Sequence, residues 1–215
     1  MLIISICQIT TNKILIRIAL KFFRHYLSIH NTDIIYMFKF LPITFALILI
    51  NSSNAFAIKL SSESFKNRTY LADKYVYNGF GCSGDNISPE LSWTDIPEGT
   101  KSFAITAYDP DAPTGSGWWH WLVFNIPTNI TNIPEGVKNI DLPKAIIQSN
   151  TDYGKPGYGG PCPPIGDGKH RYIFTIFALD TETLPLNAKV TAAKVGFYLN
   201  SHVIEKYSIK GYYKR

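Results

Sequence analysis

The sequence lacks the features that mark several large classes of protein. Its three cysteines include no closely spaced pair of the kind that zinc sites use, which argues against a zinc-binding protein. It contains neither the Gly-x-Ser-x-Gly turn of α/β-hydrolases nor the His-Glu-x-x-His helix of zinc peptidases. No internal repeat or low-complexity tract interrupts residues 58–215. These absences disfavour metalloenzymes, common hydrolases and repeat proteins.

Long apolar runs are also scarce. Leu41–Ile50 is an apolar stretch of ten residues, whereas a membrane-spanning helix needs roughly 20. A short basic start with Lys39 precedes this stretch, and the small-x-small pattern Ala55-Phe56-Ala57 follows it. This order predicts a secretory signal peptide over residues 37–57, and the alternative is an uncleaved membrane anchor.

Residues 1–36 have no comparable order, because four basic residues interrupt their apolar ones. We interpret Met37 as the true initiator and the upstream segment as untranslated, or as removed with the signal. The mature part is then residues 58–215, and we expect it to be exported, either to the periplasm or out of the cell. It contains no stable membrane span.

The basic charge of the chain belongs to this leader. The formal net charge is +5, but residues 1–57 hold five basic residues and one acidic residue, so residues 58–215 are nearly neutral. A nucleic-acid-binding domain carries a basic patch on its folded face. The sequence therefore indicates no nucleic-acid partner.

The remaining cysteines agree with export. Cys7 lies in the leader, which leaves Cys82 and Cys162, both in glycine-rich segments. An even number of cysteines in an oxidising compartment favours a disulfide between them. The alternative is two independent thiols.

The 158 residues that follow the signal suit one domain with mainly β structure. Lys101–Tyr108 alternates apolar with small or polar residues, which predicts a half-buried strand. Trp121–Ile126 and Tyr172–Leu179 are apolar on both faces, which predicts fully buried strands. With the Pro- and Gly-rich breaks between them, these runs predict a β-sandwich.

One helix is expected near the C-terminus. Thr191 can cap it, and Val195, Leu199 and Val203 form a stripe at helical spacing, with Phe197 and Ile204 beside it. We expect this stripe to pack against the sandwich at its periphery.

Two rigid loops about fifty residues apart hold the candidate site. Asp109-Pro110-Asp111-Ala112-Pro113 is followed by Trp118–Trp121, and Gly157–Pro164 is followed by His170-Arg171-Tyr172. We expect two carboxylates and two imidazoles to meet there among aromatic walls, which suits a small-molecule site. A histidine titrates near neutrality, so a protonated imidazole beside a carboxylate would donate to an anion. Any one of these residues alone is more typical of a turn or a core.

These segments resemble the two conserved regions of the phosphatidylethanolamine-binding protein family, also called Raf kinase inhibitor-like proteins, in its bacterial YbhB/YbcL-type branch. Asn86-Ile87-Ser88-Pro89 and Trp93 extend the resemblance. It implies a two-sheet sandwich with Greek-key connections and a pocket for small anions such as phosphate-type head groups. Combined with the loop analysis, the predicted ligand-binding residues are Asp109, Asp111, Pro113, Trp118, His120, Gly160, Cys162, Pro164, His170 and Tyr172.

The leading hypothesis is an exported, non-catalytic protein that binds a small anion or a phospholipid head group, without a cofactor or metal. A second hypothesis is an inhibitor of a protein partner such as a protease or kinase, and a third is an enzyme that uses the Asp/His cluster. Trp119 stands where eukaryotic family members commonly have a second histidine, which weakens a transfer of kinase inhibition. The sequence leaves a homodimer open.

The signal-peptide prediction is tested by the mass of the natural protein. We expect intact-mass spectrometry of the exported form to give a chain that begins at Ile58. A mature N-terminus upstream of Met37 would contradict this interpretation.

Overall fold

A computed structural model describes residues 57–138 and 141–215. The predicted upstream segment 1–36 and all of the predicted signal peptide except Ala57 lie outside the described residues, so the boundary at residue 58 stays a prediction. In the described part, strands dominate, and a single α-helix accompanies them. A short 3₁₀ helix, Asp73–Tyr75, precedes the site loops.

Six strands form the larger sheet. Its order is β2-β11-β10-β6-β7-β9, and all neighbours are antiparallel except β11 and β2. The three long central strands carry the apolar runs seen in the sequence. The strands are β2 (Thr69–Tyr70), β6 (Ser102–Asp109), β7 (Trp118–Pro127), β9 (Ile147–Gln148), β10 (His170–Leu179) and β11 (Val203–Tyr213).

A three-stranded sheet packs against the larger one, and a hairpin lies beside the site. The small sheet has the order β1-β5-β8. The fold class is the predicted one: a mainly β, two-sheet architecture with a helix near the C-terminus. The strands are β1 (Lys59–Ser61), β5 (Leu91–Thr94) and β8 (Asn132–Ile133), and the hairpin joins β3 (Asn78–Gly79) to β4 (Cys82–Ser83).

In the main core, apolar side chains of β6, β7 and β10 pack against those of the small sheet. Trp93 of β5 meets Phe103 of β6 edge to face, with ring centroids 5.4 Å apart. Phe65 and Phe174 pack at 5.2 Å. Aromatic pairs of this kind bury large areas and add a geometric preference of their own.

The prediction of a half-buried strand at Lys101–Tyr108 was wrong. Strand β6 is buried on both faces, because Phe103 and Ile105 contact the small sheet while Ala104 belongs to a second core cluster. That second cluster includes Val195 and Leu199 of the helix. The alternation in the sequence therefore separates two buried faces and does not mark an exposed one.

The helix, α1, spans Ala192–His202 and begins where the sequence predicts. The Thr191 side chain accepts a hydrogen bond from the Lys194 backbone N–H at 3.4 Å. Val195 and Leu199 are buried as expected, whereas Phe197 is 68% exposed. Because Val203 and Ile204 already belong to β11, the helical stripe ends one turn earlier than predicted.

Strand β11 was missed by the sequence analysis. Its eleven residues include few buried ones, so no period-2 apolar pattern stands out. It forms nevertheless because it pairs with β10 from the His170–Tyr213 pair to the Leu179–Val203 pair. Backbone hydrogen bonds to a buried neighbour, and not its own hydrophobicity, determine its conformation.

Cys82 and Cys162 form a disulfide, which confirms that expectation; their Cα atoms are 6.0 Å apart and 80 positions separate them in sequence. The bond joins the β3–β4 hairpin to the loop that precedes β10. In the chain-entropy model, closing a loop of this length stabilises the fold by about 4–5 kcal/mol. Within the described residues, we find no helix with the length and apolarity that crossing a membrane requires.

We expect Phe103→Ala to lower the free energy of unfolding by about 3–5 kcal/mol, because it leaves a cavity in a fully buried site. Phe197→Ala makes the same change on an exposed helix face and should cost less than about 1 kcal/mol. Urea denaturation followed by circular dichroism measures both. Equal losses for the two variants would contradict the assignment of Phe103 to the core.

Candidate ligand-binding site

The two loops meet at one end of the large sheet because three central strands begin or end there. Asp109 is the last residue of β6 and pairs with Trp118, the first residue of β7. His170 is the first residue of β10, which runs antiparallel to β6 on its other side. Chain segments some sixty residues apart are thus placed side by side by strand pairing alone.

A cavity of about 200 Å³ lies between these strand ends and the loops that follow them. Aromatic rings and prolines form most of its wall, and a carboxylate and two imidazoles supply polar groups. The lining residues are Phe80, Asp109, Ala112, Pro113, Thr114, Trp118, His120, Tyr153, Cys162, Pro163, Pro164, His170 and Tyr172.

Eight of the ten predicted ligand-binding residues line this cavity, while Asp111 and Gly160 do not. The structure thus brings most of the set together, and their role in binding a ligand stays a prediction. The eight are Asp109, Pro113, Trp118, His120, Cys162, Pro164, His170 and Tyr172.

The expectation that Asp111 faces the cavity was wrong. Its carboxylate accepts from Arg171 in a bidentate pair, at 2.8 Å from Nε and 2.6 Å from Nη2, and also from the Arg171 backbone N–H at 2.8 Å. These hydrogen bonds hold the pKa of Asp111 below its ordinary value. The Asp111 backbone N–H in turn donates to Asp109 Oδ1 at 2.8 Å. Asp111 therefore fixes the loop that positions Asp109.

Gly160 is also a positioning residue rather than a lining one. Its backbone N–H donates to Asn86 Oδ1 at 2.8 Å. A Cβ atom at this position would collide with the backbone carbonyl of Tyr75. Glycine is therefore required because two chain segments approach too closely for a side chain.

Asp109 and His170 form a buried ion pair at the inner end of the cavity. Asp109 Oδ2 accepts from His170 Nδ1 at 2.7 Å, and both side chains are 2–3% exposed. His170 Nε2 lies 3.2 Å from Asp167 Oδ2. Burial alone would lower the pKa of His170, but the two carboxylates outweigh it and raise that pKa. Because a carboxylate only accepts, both contacts favour the imidazolium form of His170, in which each ring nitrogen donates.

His120 behaves in the opposite way. Its Nδ1 lies 2.6 Å from the carbonyl oxygen of Gly159, which can only accept, so Nδ1 carries the proton. Burial lowers the pKa of His120 to about 4. The expectation that a protonated His120 donates to an anion near neutral pH was therefore wrong, because desolvation disfavours the charged ring more than Asp109 favours it.

Two aromatic wall residues, Tyr153 and Phe80, escaped the sequence analysis, as did Thr114. Tyr153 stacks on Tyr77 at 4.1 Å and donates to the Gly160 carbonyl at 2.8 Å. Phe80 occupies the two-residue turn of the β3–β4 hairpin, where both it and Gly81 have positive φ. The Gly79-Phe80-Gly81 triplet is a turn signal, but nothing in it indicates a cavity on another part of the chain.

Three polar atoms of the lining have no hydrogen-bond partner among the described residues: Tyr172 Oη, His120 Nε2 and Trp118 Nε1. The Trp118 indole lies beside the Tyr153 hydroxyl but makes no hydrogen bond of standard geometry with it. Buried polar groups are normally satisfied, so unpartnered ones in a cavity wall mark positions that a ligand can use. Tyr172 and Trp118 supply donors, whereas His120 Nε2 supplies an acceptor.

The part of the chain that the structure describes contains no group of three His, Cys, Asp or Glu side chains arranged to hold a metal ion. Cys162 is in the disulfide, so it does not offer a thiolate to the cavity. The arrangement offers hydrogen-bond donors and an acceptor to a small polar ligand.

Comparison with known proteins agrees with this architecture. The sequence model of the family described as "Phosphatidylethanolamine-binding protein" matches residues 61–214. The chain is 46% identical over 166 residues to the UPF0098 protein YbcL of Escherichia coli, a match that covers 76% of this chain and 91% of that protein. It is 47% identical over 154 residues to E. coli YbhB, covering 71% and 97%.

Solved structures give the same result. The crystal structure of E. coli YbcL, described as a new member of the mammalian PEBP family, matches with a TM-score of 0.72 and 45% identity, over 74% of this chain and 98% of that one. The homologue CT736 of Chlamydia trachomatis matches with a TM-score of 0.64 and 32% identity, over 74% and 99%. The fold and the site thus define a small two-sheet β protein of the ligand-binding kind. The chain belongs to the phosphatidylethanolamine-binding protein family, which confirms the resemblance seen in its sequence.

The two cavity histidines should have opposite effects on stability. The unfolded chain protonates His120 near pH 6.5 but the folded chain only near pH 4, so stability falls as the pH drops between these values. The folded-state pKa of His170 is raised, so its contribution is complete below pH 6.5 and is lost as the pH rises through that raised value.

We expect an NMR pH titration of the imidazole protons to give a midpoint near pH 4 for His120 and one above pH 6.5 for His170. The variants His120→Gln and His170→Gln assign the signals, because each removes one of them. Midpoints near pH 6.5 for both rings would contradict the described hydrogen bonding.

Proposed function

We propose that this protein is an exported, non-catalytic binding protein whose cavity holds a phosphate-type group, either free or as part of a phospholipid head group. The observation that carries this proposal is the pair of unpartnered donors, Tyr172 Oη and Trp118 Nε1, in the wall of a mostly apolar cavity. Such donors orient the oxygens of an acceptor ligand, and dry walls strengthen the hydrogen bonds.

The size of the cavity favours the same ligand class. The His170 ring lies between the Asp109 and Asp167 carboxylates, whose charges offset that of an imidazolium, so recognition of the ligand depends on hydrogen bonds. At about 200 Å³ the cavity is smaller than the roughly 300–1,000 Å³ of sites for drug-sized molecules. It therefore suits a head group, while any acyl chains would remain outside.

The lining supports a non-catalytic role. Nucleophilic catalysis needs a nucleophile within hydrogen-bond reach of a base. Thr114, the aliphatic hydroxyl of the wall, donates to the Gly117 carbonyl at 2.5 Å. His120 Nδ1 is held by a carbonyl, and His170 is held by two carboxylates. Among the lining residues that the structure describes, no nucleophile is paired with a base.

Two observations support export. The N-terminal sequence has the order of a signal peptide, and the Cys82–Cys162 bond suits an oxidising compartment. The disulfide also fastens the Phe80 turn beside the proline-rich loop at the cavity rim. An oxidising environment therefore maintains the shape of the proposed site.

A second candidate function is the inhibition of a protein partner through the loops on the cavity side. Phe80 is 68% exposed and Ile165 is 81% exposed, and both lie at or next to the rim. Large apolar side chains that protrude from rigid loops are typical anchors for a protein contact. In this alternative the loops, and not the cavity, carry the function.

The proposed function is tested by titrating the protein with phosphoethanolamine at millimolar concentration and following tryptophan fluorescence. We expect a saturable change, because Trp118 lines the site. Tyr172→Phe removes one donor to a charged ligand, which costs about 1.5–3 kcal/mol, or roughly 10- to 100-fold in affinity. The matched control Tyr207→Phe removes a hydroxyl outside the lining and should bind normally.

The absence of a fluorescence change and of heat in calorimetry at millimolar ligand would contradict the head-group proposal. A partner protein that binds equally well to wild type and to Tyr172→Phe, but loses affinity with Phe80→Ala, would instead support the second candidate.

A further inference from the structure

The hydrogen-bond character of His120 restricts which phosphate can occupy the cavity. Nδ1 carries the ring proton because its partner is the Gly159 carbonyl, at 2.6 Å. The other ring nitrogen, Nε2, therefore presents a lone pair, and no described residue donates to it. His120 is 3% exposed and is one of the residues that line the cavity, so this unpartnered acceptor is buried at the cavity wall.

The charged and aromatic groups around His120 leave Nε2 as a hydrogen-bond acceptor. Asp109 on β6 and Asp152 in the loop after β9 are the acidic groups whose charges act on the ring. Tyr153 and Tyr172 meet it edge to face at 5.6 and 5.0 Å, and burial raises both phenol pKa values, so both stay neutral. The cation of the site, His170, directs its two N–H groups to carboxylates.

The inner part of the cavity consequently combines donors with an unpaired acceptor. A fully ionised phosphate oxygen placed against His120 Nε2 would set lone pair against lone pair, close to the Asp109 carboxylate. A phosphate oxygen that carries a hydrogen would instead donate to Nε2, while the other oxygens accept from Tyr172 and Trp118. Leaving a buried acceptor unmatched lowers affinity by roughly tenfold or more, which is enough to discriminate between these ligands.

We propose that the cavity selects a phosphate group that retains an acidic hydrogen, namely inorganic phosphate or a phosphate monoester in its protonated form, whose P–O–H donates to His120 Nε2. This inference rests on the proposed function and narrows its ligand class. A phosphodiester, such as the head group of an intact phospholipid, has no such hydrogen at neutral pH and is bound more weakly.

The selection has a distinctive pH dependence. A phosphate monoester loses its second proton near pH 6, so its protonated form falls about a hundredfold relative to the total between pH 5 and pH 8. The Nε2 lone pair is available above about pH 4, where the His120 ring is neutral. We therefore expect affinity for a monoester to be greatest between these values and to decline as the pH rises.

The experiment is isothermal titration calorimetry on the mature protein with methyl phosphate and methyl sulfate between pH 5 and pH 8. At pH 5 both ligands are monoanions of nearly the same shape, but methyl sulfate has no acidic hydrogen. We expect methyl phosphate to bind at least tenfold more tightly at pH 5, and its advantage to decline toward pH 8. Inorganic phosphate loses its second proton at a higher pH than the monoester, so its decline should begin at a correspondingly higher pH.

A second pair of ligands distinguishes the sources of phosphate. Glycerophosphoethanolamine carries the phosphodiester of a lipid head group, and phosphoethanolamine carries the monoester. We expect phosphoethanolamine to bind at least tenfold more tightly at pH 5. Equal affinity for the two would overturn the selection for a monoester.

The variant His120→Phe tests the acceptor directly. It keeps an aromatic ring in the cavity wall but has no lone pair at the position of Nε2, so the preference for methyl phosphate over methyl sulfate should fall toward one. The matched control His202→Phe changes a partly exposed histidine outside the cavity and should keep the preference. If His120→Phe keeps the wild-type preference, His120 Nε2 is not the acceptor of the phosphate hydrogen.

The outcomes separate the two proposals. If methyl phosphate and methyl sulfate bind with equal affinity at every pH, the inference is overturned while the proposed function stands. If none of the phosphates binds at any pH, the proposed function fails and the inference fails with it. Because the wild-type comparison uses ligands alone, it remains decisive even if His120→Phe does not fold.

Discussion

The hydrogen bond between Asp109 and His170 joins the ends of β6 and β10 inside the protein, and the site depends on it. A carboxylate or an imidazolium buried alone would be very costly, but the pair is 2.7 Å apart and nearly inaccessible to solvent. Asp167 and the Asp111 backbone N–H complete the contacts of the pair. The pair thereby places two opposite, mutually compensating charges at the inner end of the cavity.

The rest of the fold holds this pair in place from several directions. The helix covers the second face of the large sheet, so the strands that end at the site are buried on both sides. The Arg171–Asp111 pair closes the loop after β6, and the Cys82–Cys162 bond brings the Phe80 turn to the rim. A rigid, preformed cavity suits a ligand that is recognised by a few hydrogen bonds, because little ordering accompanies binding.

The sequence was a good guide to which residues line the cavity and a poorer one to the contacts that each makes. It predicted the aspartates and histidines as one set, yet Asp111 serves the loop and His120 is a neutral acceptor. Tyr153 and Phe80 were missed because their contacts come from chain segments remote in sequence. Strand β11 was missed for a related reason: its pairing partner β10, and not its own pattern, makes it a strand.

By itself, the sequence determined the β-rich class, the family and the capped helix, since these depend on local pattern, composition and motif. Only the tertiary structure decided the protonation of the two cavity histidines, because this depends on which groups fold against each ring. His170 lies between two carboxylates and is charged, whereas His120 lies against a carbonyl in an apolar wall and is neutral. The two histidines thus differ in protonation because they differ in burial and in hydrogen-bond partners. Local sequence shows neither of these.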